Sequence, residues 1–340
     1  MENLFEKHTV EARMLDFSEG FTEKAIPVEI RKDCFTGTVS RVLKSRMRFP
    51  QASHEPEMIE ASRHNCPFCP ENLARSTPKF PADLVPEGRI CFGRSTVLPN
   101  AFPYSRYCGV TVISDEHYIS LDRFSVEKLF SALKASTLFI ERIKANARDV
   151  SYASINWNYM PGSGGGLIHP HIQVVVNRRP THFHGRLMRS SADYKMVHGA
   201  NYWADLVEFE KQNKSRYLFN YGGIEFISLF SPGGMFGEIL SIFKNMSSIR
   251  DLTDETLDSY ARGLTRLLKS FHRMHLNNLN MTLLMSLEDD DGFWIQARTV
   301  PRVSLPPLGT SDVNYFEKGH DEVIVIISPE DLAEEIRLTD

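Results

Sequence analysis

An α+β fold, with long helices packed across antiparallel sheet, is what this 340-residue sequence predicts. Three observations point there. Apolar segments of strand length come in adjacent pairs. Two long helical patterns each separate one pair from the next. The order strand, strand, long helix, strand, strand then occurs twice, which predicts a duplicated fold. The expected division puts residues 1–195 in the first half and residues 196–340 in the second.

Residues 1–65 read as an opening arm of short strands and loops. Thr36-Gly37-Thr38-Val39 turns into a strand, and a basic cluster of Arg41, Lys44, Arg46 and Arg48 follows and ends at Pro50. Residues 51–65 are polar and irregular. Ile90 to Leu98 is strand-like until Pro99-Asn100-Ala101-Phe102-Pro103-Tyr104 breaks it, and Gly109-Val110-Thr111-Val112-Ile113 is the next strand. Ser125 caps a helix running to about Asn146, with Leu129, Leu133, Leu138 and Ile140 on its apolar side. Tyr152 to Tyr159 is a strand, followed by the run Gly162-Ser163-Gly164-Gly165-Gly166 and the strand that carries His171. In the second half, Ile224–Leu229 and Phe236–Phe243 are strands on either side of Ser231-Pro232-Gly233-Gly234. Asp254 caps a helix through His275. Met281–Leu287 and Phe293–Val300 form a hairpin across the acidic turn Asp289-Asp290-Asp291-Gly292. Where the first copy has His169-Pro170-His171, the second has Gln296-Ala297-Arg298. That copy keeps the scaffold and not the chemistry.

Composition narrows the function classes. The net charge of −4 offers no broad electrostatic footprint for nucleic acid. No apolar run is long enough to span a bilayer, so no membrane partner is expected. The charged start, Met-Glu-Asn-Leu-Phe-Glu-Lys, lacks the apolar centre of a signal peptide, and a reducing cytoplasm is the expected compartment. Five cysteines, at 34, 66, 69, 91 and 108, give one close pair and no disulfide scaffold.

Two motifs carry chemistry. In His169-Pro170-His171-Ile172-Gln173, two histidines one residue apart on a strand face the same side, and mobile glycine backbone upstream lets amides approach phosphate oxygens. One imidazole is then available to attack phosphorus while the other ties the strand to a metal. Cys66-Pro67-Phe68-Cys69 is a Cys-x-x-Cys knuckle. A redox motif should open a helix after a buried strand, whereas this one follows the polar Arg63-His64-Asn65, so zinc is favoured over thiol exchange or an unliganded pair. The remaining ligands should be histidines, His117 and His169, with His64 as the competitor by proximity. Thr181-His182-Phe183-His184 is a further His-x-His, read as a polar loop beyond the strand rather than a second metal site.

In their order and spacing these residues resemble the galactose-1-phosphate uridylyltransferase-like branch of the histidine-triad superfamily, which also includes nucleoside-diphosphate-sugar and dinucleoside-polyphosphate phosphorylases. The resemblance takes in Thr36-Gly37, the Cys-x-x-Cys, Asn100, His117, Asn158, His-x-His-x-Gln and the ending Ile327-Ser328-Pro329-Glu330-Asp331-Leu332-Ala333. It implies one structural zinc on Cys66, Cys69, His117 and His169. His171 becomes the nucleophile that takes up a nucleoside monophosphate, with Gln173 bonded to a phosphoryl oxygen. Asn100 and Asn158 line the nucleotide pocket, and Arg46, with Arg48, grips the phosphates beside Ser163, Gly164, Gly165 and Gly166. It also implies a homodimer acting on a nucleotide sugar and a phosphorylated acceptor.

Three departures bear on the acceptor. The stretch before His169 is Gly164-Gly165-Gly166-Leu167-Ile168, without the family's serine. Gln296-Ala297-Arg298 replaces a second His-x-His, so no second metal is expected there. Tyr315-Phe316-Glu317-Lys318-Gly319-His320 lacks the family's hexose-holding residues, and Ile324 stands where a glutamine is expected. Galactose 1-phosphate is therefore poorly supported. The expected activity is nucleotidyl transfer from a nucleoside diphosphate sugar, or a similar pyrophosphate, to a sugar 1-phosphate or phosphate. The alternatives are a phosphorylase, a hydrolase and an idle nucleotide-binding protein.

Overall fold

The computed structural model describes residues 1, 4–43, 56–305 and 309–339. Three strands open the chain: β1 (Phe5–Asp16), β2 (Thr22–Asp33) and β3 (Val39–Leu43). Two short helices, α1 (Pro56–Arg63) and α2 (Pro70–Ser76), flank the Cys-x-x-Cys. The first repeat then runs β4 (Ile90–Phe92), β5 (Ser95–Pro99), β6 (Tyr107–Val112), α3 (Val126–Asn146), β7 (Tyr152–Tyr159) and β8 (His171–Asn177). Helices α4 (His182–His198) and α5 (Tyr202–Asn213) lead to the second repeat: β9 (Tyr217–Tyr221), β10 (Ile224–Ser228), β11 (Ile239–Phe243), α6 (Asp254–Arg273), β12 (Asn278–Ser286) and β13 (Gln296–Arg302). The chain closes with β14 (Ser304–Leu305), β15 (Thr310–Ser311), α7 (Tyr315–Gly319), β16 (Glu322–Val325) and α8 (Pro329–Arg337).

One ten-stranded sheet, in the order β4-β5-β6-β8-β7-β12-β13-β11-β10-β9, carries both repeats. The run β5-β6-β8-β7 reappears as β10-β11-β13-β12, and the two runs join where β7 pairs antiparallel with β12. The duplicated order read from the sequence is thus present in the topology. Helices α3 and α6 lie on one face of this sheet. The alternate residues Ile155, Trp157, Ile172 and Val174 of the first repeat, with Phe226, Leu283 and Ala297 of the second, build the main core under them. On the opposite face, α4 and α5 set Leu187, Trp203, Leu206 and Val207 against Ile227, Leu240, Ile242 and Leu284. The same face over β7 and β8 carries Asn156, Asn158, His171 and Gln173 instead. In a second sheet, β1-β2-β3-β16, β16 runs parallel to β3 and ties a late segment of the chain to an early one.

Several boundaries differ from the sequence reading, each for a local reason. The opening arm is a long hairpin, two strands of 12 residues exposed on most positions, rather than short strands. Residues 56–63 of the segment expected to be irregular form α1, while the rest of the basic cluster, Lys44, Arg46 and Arg48, lies outside the described residues. The strand 90–98 is a hairpin, because Gly93 takes a φ of 56° at the turn and a Cβ there would stand 2.8 Å from Ser131 Oγ on α3. The α6 cap is Thr253, whose hydroxyl accepts from the Thr256 amide, and Asp254 is the first helical residue. That helix stops at Arg273, short of His275, whose φ is 62°. Ser125 caps α3 as expected, accepting from the Lys128 amide. His182 and His184 sit in the first turn of α4, not in a loop. His184 is buried between Tyr152 and Phe293. No helix among the described residues is long and apolar enough to cross a membrane.

The tightest contact between α6 and the sheet gives a test of the packing. A Cβ on Gly263 would stand 2.1 Å from Phe226 Cζ, inside a fully buried aromatic cluster. Gly263→Ala gains about 1 kcal/mol of helix propensity. Overpacking a closed core costs about 3 kcal/mol, at the upper end of its usual range. A net loss of about 2 kcal/mol is expected in urea unfolding, and an unchanged midpoint would show that the ring has room to move.

Candidate active site and metal centre

Cys66 and Cys69 bracket the turn that starts α2. Asn72 braces this knuckle through its side-chain amide to the Cys66 carbonyl at 2.9 Å and its backbone amide to the Cys69 carbonyl at 2.9 Å. His117 stands in the loop after β6, and His169 two residues before the first residue of β8. All four are buried, and their ligand atoms lie within 4.8 Å of one another. His64, the alternative ligand, is exposed and outside this group. Cys69 Sγ is 3.4 Å from His117 Nδ1 and 3.7 Å from His169 Nδ1, and Cys66 Sγ is 3.7 Å from His169 Nδ1. Sulfur and nitrogen ligands at zinc bond lengths should be about 3.6 Å apart in a tetrahedron, so the donors fit that metal.

The outer nitrogens support the same arrangement. His169 Nε2 donates to the Ser114 carbonyl at 2.8 Å, and His117 Nε2 lies 3.2 Å from the Ile59 carbonyl and 2.8 Å from Ser62 Oγ. Carbonyl oxygens only accept, so each ring carries its proton on Nε2 and turns the Nδ1 lone pair toward the thiols. Burial lowers His117 and takes His169 down to about 4, keeping both imidazoles neutral. Burial, then the neighbouring Cys66, pushes the Cys69 thiol up to about 12. Two adjacent thiolates in this enclosure need a cation, and the four side chains can hold one metal ion.

His171 opens β8 beside this centre. Its Nδ1–H donates to the His169 carbonyl at 2.8 Å, which leaves Nε2 with the lone pair. Burial lowers its pKa, so the ring is neutral. Phe68, inside the Cys-x-x-Cys, packs edge-on against both His169 and His171, with centroids 6.0 and 5.3 Å away. The knuckle therefore touches the His171 ring directly, a contact the sequence reading did not anticipate. Gln173 Oε1 accepts from the Tyr104 hydroxyl at 2.7 Å. Asn100 braces the loop that carries Tyr104, accepting from the Phe102 amide at 2.9 Å and lying 3.4 Å from Cys108 Sγ.

The glycine loop is held from beneath. Ser163 is buried, and its hydroxyl donates to the Tyr159 and Met160 carbonyls at 2.6 and 2.9 Å. The amides of Ser163, Gly164 and Gly165 bond to the carbonyls of Met160 and Pro161, and Gly164 takes a φ of 89°. A Cβ on Gly165 would lie 2.9 Å from the Asn158 and Met160 carbonyl oxygens, so the turn closes only with glycine there, while the space around Gly166 is open. Asn280 Nδ2 donates to Asn158 Oδ1 at 2.7 Å and to the Ser163 carbonyl at 2.8 Å. Arg302 donates to Asn280 Oδ1 at 2.7 Å and is paired with Asp312. Sequence reasoning missed Asn280, Arg302 and Asp312. The only signal was an asparagine at the edge of an apolar strand. Arg46 and Arg48 lie outside the described residues. Of the residues expected from the sequence to match His169–His171, Gln296 opens β13 as His171 opens β8, and Gln296 and Ala297 are buried. The Arg298 guanidinium is paired with Glu238 and lies 4.9 Å from the Phe183 ring.

No family model matches the chain. It is 32% identical over 314 residues to an uncharacterized protein of Archaeoglobus fulgidus, covering 91% of this chain and 92% of that one. Among solved structures it is similar to an ADP-glucose phosphorylase from Arabidopsis thaliana with bound ADP-glucose. That likeness has a TM-score of 0.68 at 16% identity and covers 92% of this chain and 99% of that one. It is likewise similar to a uridylyltransferase, with a TM-score of 0.67 at 18% identity over 91% of this chain and 97% of that one. The chain belongs to the family of the archaeal protein, and it shares its fold with the ADP-glucose phosphorylase and the uridylyltransferase.

Proposed function

We propose that this protein is a nucleotidyltransferase that carries a nucleoside monophosphate on His171. The observation that carries the reading is the His171 ring: neutral, its Nδ1–H fixed on the His169 carbonyl, its Nε2 lone pair free. Nε2 attacks the α-phosphorus of a nucleoside diphosphate sugar or similar pyrophosphate. The P–N bond forms, the P–O bond to the departing phosphate breaks, and the sugar 1-phosphate leaves with the bonding pair. The His169 carbonyl stabilises the imidazole as positive charge develops on it. An oxygen of the acceptor phosphate then attacks phosphorus, the P–N bond breaks, and its pair returns to Nε2. Gln173 donates to a phosphoryl oxygen from its amide nitrogen while Tyr104 holds its carbonyl oxygen. Asn100 and Asn158 line the nucleotide side, with Ser163, Gly164, Gly165 and Gly166 shaping the phosphate loop. Arg46 and Arg48 complete the phosphate grip.

Zinc on Cys66, Cys69, His117 and His169 would supply structural support, holding the His169 end of β8 and the Phe68 ring that borders His171. In this reading residues 1–195 contain the reacting end and residues 196–340 the degenerate copy that binds the acceptor, in a homodimer of the cytoplasm. Inorganic phosphate is the second acceptor to consider, since the likeness to an ADP-glucose phosphorylase is as extensive as that to a uridylyltransferase.

Incubation with a panel of nucleotide sugars, followed by intact-mass measurement and peptide mapping, tests this. A single nucleoside monophosphate is expected on His171, discharged by sugar 1-phosphate or by phosphate. Its mass identifies the base. An adduct on another residue, or none with any donor, would sink the mechanism, and discharge by water alone would make the protein a hydrolase.

A further inference from the structure

The face of the large sheet that carries Gln173 continues as a row of polar side chains. Gln173 pairs with Asn156 on β7, Asn156 with Thr282 on β12, and Thr282 with Arg298 on β13. Directly paired residues share a face, so the row crosses three strand spacings, about 14 Å. Asn156, Thr282 and Arg298 form the floor of a cavity of about 550 Å³. The start of α4 makes one wall, with Thr181, Phe183 and Arg186. Lys318 on α7 and Val323 on β16 stand on another.

The charges in this cavity are matched by ion pairs except at Arg186 and at the exposed Asp321. Arg298 is paired with Glu238, whose other oxygen accepts from the Gly233 amide at 2.7 Å, and Lys318 is paired with Glu317. Arg186 has no carboxylate partner among the described residues. Its guanidinium stacks 5.3 Å from the Phe183 ring, and its Nε is enclosed without a hydrogen-bond partner. An enclosed Nε–H without an acceptor is costly unless a ligand supplies one. Thr181 caps α4 without a side-chain hydrogen bond, so the positive end of a 17-residue helix opens at the same wall.

The geometry points to a recognition site for a second anionic group, carried on the sugar half of the substrate at the end remote from the reacting phosphorus. This rests on the nucleotidyl-transfer reading, which puts that phosphorus beside His171 and Gln173. Asn156 and Thr282 lie between and present hydrogen-bonding groups to hydroxyls. Arg186 and the α4 N-terminus take the remote anion. The substrate class is a sugar 1-phosphate, or the corresponding nucleotide sugar, that bears a further phosphate or carboxylate. An uncharged sugar leaves Arg186 unsatisfied.

Isothermal titration of the full-length protein with three probes tests this: glucose 1-phosphate, glucose 1,6-bisphosphate and glucuronic acid 1-phosphate. At least one doubly anionic probe should bind about ten-fold or more tightly than glucose 1-phosphate, and which of the two does so tells phosphate from carboxylate. In Arg186→Ala that preference should vanish, while Arg186→Lys, which keeps the charge without the planar fork, should retain part of it. Arg189→Ala removes an exposed charge from the same helix and should leave the preference intact. Equal binding of all three probes to the unaltered protein, or a preference that survives Arg186→Ala, overturns the assignment. The His171 adduct is read separately by mass. Its absence with every nucleotide sugar defeats the transfer reading and this placement of the substrate with it, whereas an adduct with no anion preference defeats only the cavity.

Discussion

Replacing His171 with alanine is expected to lower nucleotidyl transfer by about four orders of magnitude or more, on the scale of other lost nucleophiles. The residue's position makes the effect specific. His171 donates only to the His169 backbone carbonyl, so alanine breaks no side-chain bond to the metal cluster. Phe68 loses one of its two imidazole neighbours and keeps His169. Fold, metal content and thermal midpoint should therefore change little while the covalent adduct disappears from the mass spectrum. Gln173→Ala should be milder, because it removes one hydrogen bond to the phosphoryl group and leaves the nucleophile. His171→Gly should regain part of its activity when given a preformed nucleoside phosphorimidazolide, which brings the missing imidazole already loaded. Near-native turnover by His171→Ala would end the proposal at once.

The parts of this molecule that were legible in its sequence are those where local chemistry and tertiary structure agree. Ser125 is an N-cap by composition and by geometry. Tyr152–Tyr159 alternates between faces through its whole length, so its ends could be read off the pattern. The four candidate zinc ligands come from three separate stretches, yet thiol and imidazole chemistry alone limits what can complete a Cys-x-x-Cys, and the fold brings the four into one buried group. The long β1–β2 hairpin was missed because most of its positions are exposed and it has no apolar face to reveal it. Helices α4 and α5 were missed because their sequences mix histidine, glycine and aromatic residues without a strong apolar stripe. They are fixed by tertiary packing of Leu187, Trp203 and Leu206 on the sheet. The Asn158–Asn280 contact and the Arg298–Glu238 pair join residues far apart in sequence, and nothing local marks either end as a partner of the other.

Loss of the proposed metal centre should be felt in stability before chemistry. Cys66→Ser removes one of two sulfur ligands from a site whose four donors come from the α2 knuckle, the loop after β6 and the approach to β8. The free energy of filling such a site is folding free energy for the segments it joins. A loss of several kcal/mol is expected, with a fall in thermal midpoint on the order of 10 °C. Zinc content should drop from one per chain toward zero. Chelation of the unaltered protein should give the same shift, reversed by added zinc. Activity should follow, because His169 and Phe68 position the His171 ring. The order of events separates support from direct participation. If the metal acts through structure, residual activity at low temperature should track the folded fraction, and the adduct that forms should still map to His171. Freshly purified protein that contains no zinc, yet melts and turns over as Cys66→Ser does, would show that the four side chains stabilise the knuckle by packing alone.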